Sequence, residues 1–553
     1  MKRIIFTSLH LYIFTSLCAL AQNDNDITLS GSIQSDMMVA PEVDNSIGAT
    51  EDAYDNKNFL MNTYVDLMLQ SKYVDAGLRG EFMQFPMPGF QDENNDFRGY
   101  GIPNIWAKLK LKNVEITAGS FYEQFGSGFI LRLYEERSLG IDNSLLGARI
   151  KVRPWRGVNL TALTGIQRDY WDWEDNLISG ADAEIALGDL IKPLGDKGYN
   201  LSLGGSWVNV HENNDDVVMP DPTHRLVMPD YINAFDARIR LQKSGFSLLA
   251  EYAQKSQDPN ALNDYTYGRG TAAMLSASYA KSGLSLLAQA KRSENMGFRS
   301  QKSLSPLSKS CYVNHLPAFT VDQTYALAAL YPYATQTEGE WAFQGGAGYK
   351  LKGRYAPKFK LNYSLVLGLE HNNSKGYMAS DGAGNCFFRT GEAYYQDLDL
   401  LYEHKLNKNY EHHFMYMYQQ YNKSIIQSHG GNIFSHIFVY EGKWKINRKN
   451  TLRFELQELQ TRHESGNWHF GLVEWSLAPY LMFSLSDQIG HVEENDGYGD
   501  IAHYYKGSVT LNYGSHRLML SYGRTRAGFN CTGGVCRYVP ANNGITINYN
   551  YNF

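Results

Sequence analysis

The sequence predicts an all-β protein, a large transmembrane antiparallel β-barrel of about 24 strands, with about 22 to 26 as the range. Three observations lead to this fold class. The segment Gly544–Phe553 alternates strictly between apolar and polar residues, which gives a strand one face for lipid and one for water. Similar segments recur about every 22 residues, and the connections between them alternate between short and long, as in outer-membrane barrels. Phe553, the last residue of the sequence, is the type of residue on which many such barrels end.

Composition supports this fold class. The 39 Tyr, 26 Phe and 9 Trp beside 50 Gly suit twisted strands and aromatic belts at membrane interfaces. Mean hydropathy is −0.40, and after the N-terminus no stretch approaches the roughly 18 apolar residues that a membrane helix needs. The alternative is a soluble array of β-strands, whose apolar faces would have to pack on a second sheet. The loop lengths favour the barrel.

The N-terminal segment predicts a secretory signal peptide over residues 1–21. Lys2 and Arg3 form its basic start, an apolar stretch follows, and Ala19-Leu20-Ala21 fits a cleavage site. Cys18 lacks the small preceding residue that lipidation requires. We therefore expect residues 22–553 to form one barrel domain.

Strands of this pattern carry charges on one face and apolar residues on the other. Between residues 358 and 367, Phe359, Leu361 and Leu365 alternate with Lys358, Lys360 and Ser364. A basic residue facing the middle of the bilayer costs roughly 2 to 4 kcal/mol, so the charged face must line the lumen. Short turns, expected in the periplasm, are predicted near residues 72–75, 113, 154–157, 243–245, 282–283, 353–357, 407–410, 447–450 and 514–515.

The longer connections are expected to be extracellular. They include residues 41–57, 122–141, 211–229, 295–338, 372–391 and 527–541. Four of the 5 cysteines follow the predicted signal peptide. Disulfide bonds between Cys531 and Cys536, and between Cys311 and Cys386, would then staple exposed loops.

The connection 122–141 is the predicted constriction loop. A Gly126-Ser127-Gly128 bend precedes a stretch that mixes large apolar residues with charges. Folded into the lumen, those charges would narrow and polarise a pore and pair with wall charges such as Lys108 and Arg149. The alternative is a loop that braces the wall by ion pairs and never meets a solute. The candidate residues are Arg132, Glu135, Glu136, Arg137 and Asp142.

Other function classes find little support. The formal net charge of −6 is unsuited to nucleic acid. No spacing of Ser, His, Asp or Cys suggests catalysis, a metal site or a cofactor, because adjacent strand residues such as His412 and His413 point to opposite faces. We expect a protein that is not an enzyme.

Two segments resemble a known family. Residues 122–147, with Tyr134-Glu135-Glu136-Arg137, and residues 533–544, with Gly533-Gly534-Val535-Cys536-Arg537, look like a Bacteroidota family known as domain of unknown function 6029. The resemblance implies an outer-membrane barrel, and it supplies no catalytic residue to transfer.

These observations predict a porin-like barrel in the bacterial outer membrane that passes or binds a small polar solute. The alternative is a barrel that conducts nothing and acts as a scaffold or as an assembly or secretion partner. The expected partners are outer-membrane lipid, the solute, and a surface lipoprotein or second barrel protein.

Overall fold

A computed structural model describes residues 27–90, 97–212, 218–219, 221–370, 376–377, 387–463, 466–494, 497–532 and 535–553. Its main feature is a closed antiparallel barrel of 24 strands, which confirms the predicted fold class. Each barrel strand pairs with the next along the chain, and the last pairs with the first, Val39 standing opposite Ile545. This pairing closes the sheet into a cylinder.

In chain order the strands are β1 (Thr28–Val39), β2 (Phe59–Gln70), β3 (Val74–Met83), β4 (Gly99–Lys110), β5 (Val114–Phe121), β6 (Glu135–Glu136), β7 (Ile141–Asp142), β8 (Leu145–Val152), β9 (Val158–Asp169), β10 (Asp172–Ala186), β11 (Asn200–His211), β12 (Tyr231–Lys243), β13 (Phe246–Gln257), β14 (Arg269–Lys281), β15 (Leu284–Glu294), β16 (Gly339–Lys350), β17 (Lys358–Leu369), β18 (Thr390–Lys405), β19 (Tyr410–Asn422), β20 (Asn432–Lys445), β21 (Asn450–Thr461), β22 (Trp468–Leu477), β23 (Leu481–Glu494), β24 (Gly497–His503), β25 (Lys506–Tyr513), β26 (His516–Thr525), β27 (Gly528–Thr532), β28 (Val535–Val539) and β29 (Asn542–Asn552).

Some of these strands lie outside the barrel wall proper. β6 pairs with β7, and β27 with β28, as hairpins inside long loops. β24 and β25 both pair with β23, one beyond the other. Short helices cover Asn45–Ile47, Glu51–Tyr54, Leu187–Leu190, Lys192–Asp196, Ala261–Asn263 and Lys423–Ile426.

Every predicted short turn lies between two paired strands at one end of the barrel, and the predicted long loops lie at the other. Two connections at the short-turn end escaped prediction, residues 187–199 and 478–480. The first is lengthened by two short helices, and the second, Ala478-Pro479-Tyr480, offers Pro479 as its single common turn residue.

The two faces of the wall follow the predicted register. Phe359 and Leu361 are exposed on the outside of β17, whereas Ser364 is buried on the inside. On β29, Asn548 Nδ2 donates a hydrogen bond to Asp36 Oδ1 at 2.6 Å, and Ile547 stands opposite Met37 on the other face. Apolar side chains therefore form the outer, lipid-facing surface of the barrel.

The inner face has two zones, which the sequence did not predict. Towards the short turns it is charged, with pairs such as Lys110 and Asp75, whose Nζ and Oδ1 are 2.6 Å apart. Towards the long loops much of it is apolar, with Val366, Ile433 and Ile437 fully buried, although wall charges such as Lys255 and Lys291 also lie there. The apolar zone needs a covering layer, and the long loops supply it.

No helix in the described residues is both long enough and apolar enough to span a membrane.

A disulfide bond joins Cys531 to Cys536 across the β27–β28 hairpin. Cys311, predicted to pair with Cys386, is instead a free and fully buried thiol, and Cys386 lies outside the described residues. The pairing was predicted for loops in an exposed outer layer. The pairing stays a prediction, but Cys311 itself does not lie in an exposed layer, because the connection 295–338 folds inwards and carries it into the barrel interior.

Candidate functional site

Two connections fill the lumen at the level of the apolar zone, and together we call them the plug: residues 122–144 and residues 295–338. Their large apolar side chains are buried against one another and against the wall in one hydrophobic cluster. The shorter connection contributes Phe125, Phe129, Ile130, Leu131 and Leu133, and the longer one Met296, Phe298, Val313, Leu316, Phe319, Leu327, Leu330, Tyr331 and Tyr333.

Backbone and amide hydrogen bonds join the two connections. The N–H of Arg132 donates to the Val313 carbonyl at 2.9 Å, and that of His315 donates to Gly128 at 3.0 Å. Asn314 Nδ2 donates to the carbonyls of Phe129, at 2.8 Å, and Met296, at 2.7 Å. The plug is therefore one packed body.

The tip of the shorter connection rests on two wall carboxylates. Ser127 donates to Glu251 from its backbone N–H at 3.0 Å and from Oγ at 2.7 Å. Gly126 has φ +53°, and a Cβ there would lie 2.6 Å from Glu251 Oε1 and 2.9 Å from Asp236 Oδ2. The bend requires glycine for its conformation and for this close approach.

Behind the tip, the β6–β7 hairpin presents charges to the wall strands β2, β3 and β9. Arg79 forms two hydrogen-bonded contacts of 2.8 Å with Glu135 and one of 2.8 Å with Asp66. Arg137 contacts Asp66 at 2.8 Å and Glu135 at 2.6 Å.

A third arginine, Arg168 on β9, extends this set. Arg168 contacts Asp142 at 2.6 Å and Glu81 at 2.7 Å. Each arginine thus touches at least two carboxylates, which compensates for burial. We call these seven side chains the charge network: Asp66, Arg79, Glu81, Glu135, Arg137, Asp142 and Arg168.

Burial and charge act in opposite directions on the loop carboxyls of this network. Burial raises the pKa of Glu135 although Arg79 and Arg137 oppose the shift. For Asp142, burial acts in the same upward sense, but Arg168 and Arg79 outweigh it and the pKa is lowered. Asp142 is therefore the more firmly ionised of the two.

The predicted loop residues divide into two groups. Glu135, Arg137 and Asp142 belong to the charge network. Arg132 instead stacks on Tyr134, its guanidinium carbon 4.7 Å from the ring centroid, and Glu136 accepts a hydrogen bond of 2.7 Å from Ser138 Oγ.

The wall residues Lys108 and Arg149 contact residues other than the predicted Arg132, Glu135, Glu136 and Arg137. Arg149 does reach the loop, contacting Glu123 at 3.1 Å, but Lys108 lies 3.9 Å from Glu115 on a neighbouring wall strand. The actual partners on the wall, Asp66, Arg79, Glu81 and Arg168, were missed. The alternation of β2, β3 and β9 showed that these side chains point inwards. It did not show which loop charges they would meet.

Sequence reasoning also missed the longer connection as part of the site. Two fully buried wall lysines hold it. Lys255 pairs with Asp258 at 2.7 Å and donates to the Gly297 carbonyl of the connection. Lys291 pairs with Glu340 at 2.7 Å and donates to the Pro317 carbonyl of the connection at 2.6 Å. Its many Phe, Leu and Tyr residues were the available signal, because a solvated loop seldom carries so many.

Two cavities flank the charge network. On the short-turn side a cavity of about 590 Å³ is lined by Asp66 and Arg79 together with Trp106, Lys108 and Arg149. On the long-loop side a cavity of about 40 Å³ is lined by Glu135, Arg137, Asp142 and Arg168, with aromatic neighbours including Tyr64 and Trp171. The ion pairs of the network form the layer between them.

One cluster has the composition of a metal site. Ligand atoms of Asp169, Glu174 and Cys311 lie within 4.8 Å of one another. Burial raises the pKa of the Cys311 thiol to about 12, which keeps it protonated at neutral pH. The thiolate is the form that binds metals, so a metal ion held here would have to displace the thiol proton of Cys311.

Comparisons with known proteins bear on the whole chain. A family model described as "Family of unknown function (DUF6029)" matches residues 1–553. No curated protein matches in sequence.

Similar solved structures include the P pilus usher PapC translocation pore, with TM-score 0.44, 9% identity, and coverage of 95% of this chain and 99% of that one. The copper transporter OprC has TM-score 0.40, 8% identity, and coverage of 95% and 83%. OpdK of Pseudomonas aeruginosa with vanillate has TM-score 0.35, 12% identity, and coverage of 83% and 99%.

Proposed function

The chain belongs to the family of unknown function DUF6029, and we propose that it is a bacterial outer-membrane barrel through which a small polar solute passes when the plug yields. In this proposal the short turns face the periplasm and the long loops face outside. The plug is the closed position of the pathway. The charge network, between the two cavities, is the segment that must open.

The observation that carries the proposal is the way the β6–β7 hairpin is held. Ion pairs fix it to the wall, and cavities adjoin these pairs on both sides. Such pairs are exchangeable, because polar groups of a solute can take over their contacts and much of the attraction between the partners only offsets desolvation. If apolar packing alone fixed the hairpin, a polar solute would find no polar contacts there that its own groups could replace.

A second candidate function is the scaffold. The observation in its favour is the apolar core shared by plug and wall, in which residues such as Phe129, Leu131 and Ile433 are fully buried. A lumen packed in this way stiffens the cylinder and needs no solute. The two candidates differ in one measurable property, ionic conductance.

The test removes the hairpin without disturbing the rest of the plug. The Asn143 N–H donates to the Tyr134 carbonyl at 3.0 Å, so a Gly-Gly turn can replace residues 135–142. Arg79 keeps Asp66 and Arg168 keeps Glu81, so neither arginine is left without a carboxylate.

In a planar bilayer we expect the shortened barrel to conduct at least about twofold better than the intact one, because the narrowest layer is gone. Glu136→Gln is the matched control, since this hairpin residue contacts Ser138 and lies outside the charge network. It should leave conductance unchanged. If neither the intact nor the shortened barrel conducts, the passage proposal falls and the scaffold takes its place.

A further inference from the structure

The charge network carries both signs of charge within one layer. Its three arginines and four carboxylates are interleaved, so that Asp66 lies between Arg79 and Arg137, and Asp142 is shared by Arg79 and Arg168. A site for an anion would present arginines free of carboxylates, and a site for a cation the reverse. This layer presents neither.

The consequence for a solute follows from the cost of leaving charges unpaired. An anion that displaces Asp66 from Arg79 satisfies the guanidinium but leaves the half-buried carboxylate with Arg137 alone. A cation that displaces Arg79 from Asp66 costs the arginine one of its carboxylates in the same way. Breaking a buried ion pair by losing one partner is strongly unfavourable, whereas a solute that brings both charges restores both contacts.

The larger cavity provides the space and the approach. Its volume of about 590 Å³ accommodates an amino acid or a dipeptide, and Asp66 and Arg79 form part of its lining. Trp106 and Lys108 line it too, the Lys108 Nζ lying 5.7 Å from the Trp106 ring centroid. An aromatic face beside the charges suits an apolar side chain.

Resting on the passage proposed above, we infer that the charge network recognises a zwitterionic solute, a free amino acid or short peptide. The solute's carboxylate takes the place of Glu135 at Arg79, and its ammonium group takes the place of Arg137 at Asp66. Exchange of both partners at once loosens the hairpin, which then keeps the contacts of Asp142 with Arg168 and Arg79. The recognition step thereby belongs to the same residues that close the pathway.

The experiment measures binding to the detergent-solubilised barrel by equilibrium dialysis, with four probes of nearly equal shape. These are phenylalanine, N-acetylphenylalanine, phenylalaninamide and N-acetylphenylalaninamide, which carry both charges, the negative one, the positive one and none. We expect phenylalanine to bind about tenfold more tightly than either singly charged probe. Equal binding of all four, preference for a singly charged probe, or no binding overturns the inference.

Two substitutions assign the charges. Arg79→Gln should remove the preference of the site for a free carboxylate, so that phenylalanine and phenylalaninamide bind alike. Asp66→Asn should remove the preference for a free amino group, so that phenylalanine and N-acetylphenylalanine bind alike. Glu136→Gln, on the same hairpin but outside the network, should keep the full preference. The unsubstituted series decides the inference by itself if either variant fails to fold.

The proposals of solute binding and of passage can be refuted independently of each other. If phenylalanine is preferred but the intact and shortened barrels both lack conductance, recognition stands and the passage proposal falls. If the barrels conduct as expected but the four probes bind equally, the zwitterion inference falls and passage stands.

Discussion

Cys311 shows how position inside the plug sets the chemistry of a single residue. Its side chain is fully buried, and Ser310 Oγ lies 3.4 Å from its sulfur. Burial raises the pKa of the thiol to about 12, so the reactive thiolate is scarce at neutral pH. The same residue in an exposed loop would ionise near its ordinary value and react readily.

We therefore predict that Cys311 resists alkylation in the folded barrel. In a Cys386→Ser background, a maleimide reagent should label the native protein barely at all at about pH 8, and fully after denaturation. Native labelling should stay slow as the pH is raised moderately, because the thiolate fraction, although it grows with pH, remains small until the pH approaches the raised pKa. Rapid labelling of the native protein would contradict the buried position of Cys311. A reductant-sensitive mass shift that links Cys311 to Cys386 in the unsubstituted chain would show that the two form a disulfide bond.

At the scale of single residues, the sequence identified charges but not their partners. Glu135, Arg137 and Asp142 stood out because charges beside Leu131 and Leu133 do not suit a solvated loop. Arg79 and Arg168 did not stand out, because an inward charge on a strand is expected wherever a lumen is hydrated. Which wall charge meets which loop charge depends on how deeply the loop descends, and alternation carries no information about depth.

Among the elements, β29 has the clearest division between faces. Asn548 faces the lumen and donates to Asp36, while Ile547 lies on the opposite face across from Met37. Strands and short turns of this kind were predictable because a period of two and turn-forming residues are local signals. The apolar inner zone was not predictable in this way: in Ile433-Phe434-Ser435-His436-Ile437-Phe438 apolar residues occupy both faces, which hides the alternation.

The faces of β29 lead to a paired prediction. Ile547→Arg should prevent stable insertion, because a basic side chain facing lipid costs roughly 2 to 4 kcal/mol. Asn548→Arg should be tolerated, because the new guanidinium faces the lumen beside Asp36. Heat-dependent electrophoretic mobility of the purified protein reports the folded barrel. Similar behaviour of the two variants would mean that the assigned register is wrong.

On the scale of the whole molecule, wall and plug meet around most of the circumference. The shorter connection contacts β1, β2, β3 and β9, and the longer one contacts β15 and reaches β20, where Tyr325 donates to Glu441 at 3.0 Å. Asn314 donates one amide hydrogen bond to Phe129 of the shorter connection and one to Met296 of its own connection. Its loss would affect the plug as a unit.

Asn314→Ala should accordingly loosen the plug while the barrel stays intact. The substitution leaves the carbonyls of Phe129 and Met296 buried without this donor, at a cost of about 1 to 3 kcal/mol. Hydrogen exchange should become faster across residues 295–338 and remain slow in the wall strands. Leu307→Ala is the control in the same connection, since Leu307 is 65% exposed. Unchanged exchange in Asn314→Ala would show that apolar packing alone holds the plug.

The apolar core inside the cylinder also determines which part of the molecule contributes most to the heat capacity change of unfolding. The outer surface of the wall exchanges lipid or detergent for a similar medium, and so contributes little to the heat capacity change. The core between plug and wall is buried from water and meets water when it opens, as the interior of a soluble protein does. The curvature of this membrane protein's stability with temperature therefore originates mainly in loops that the membrane never touches.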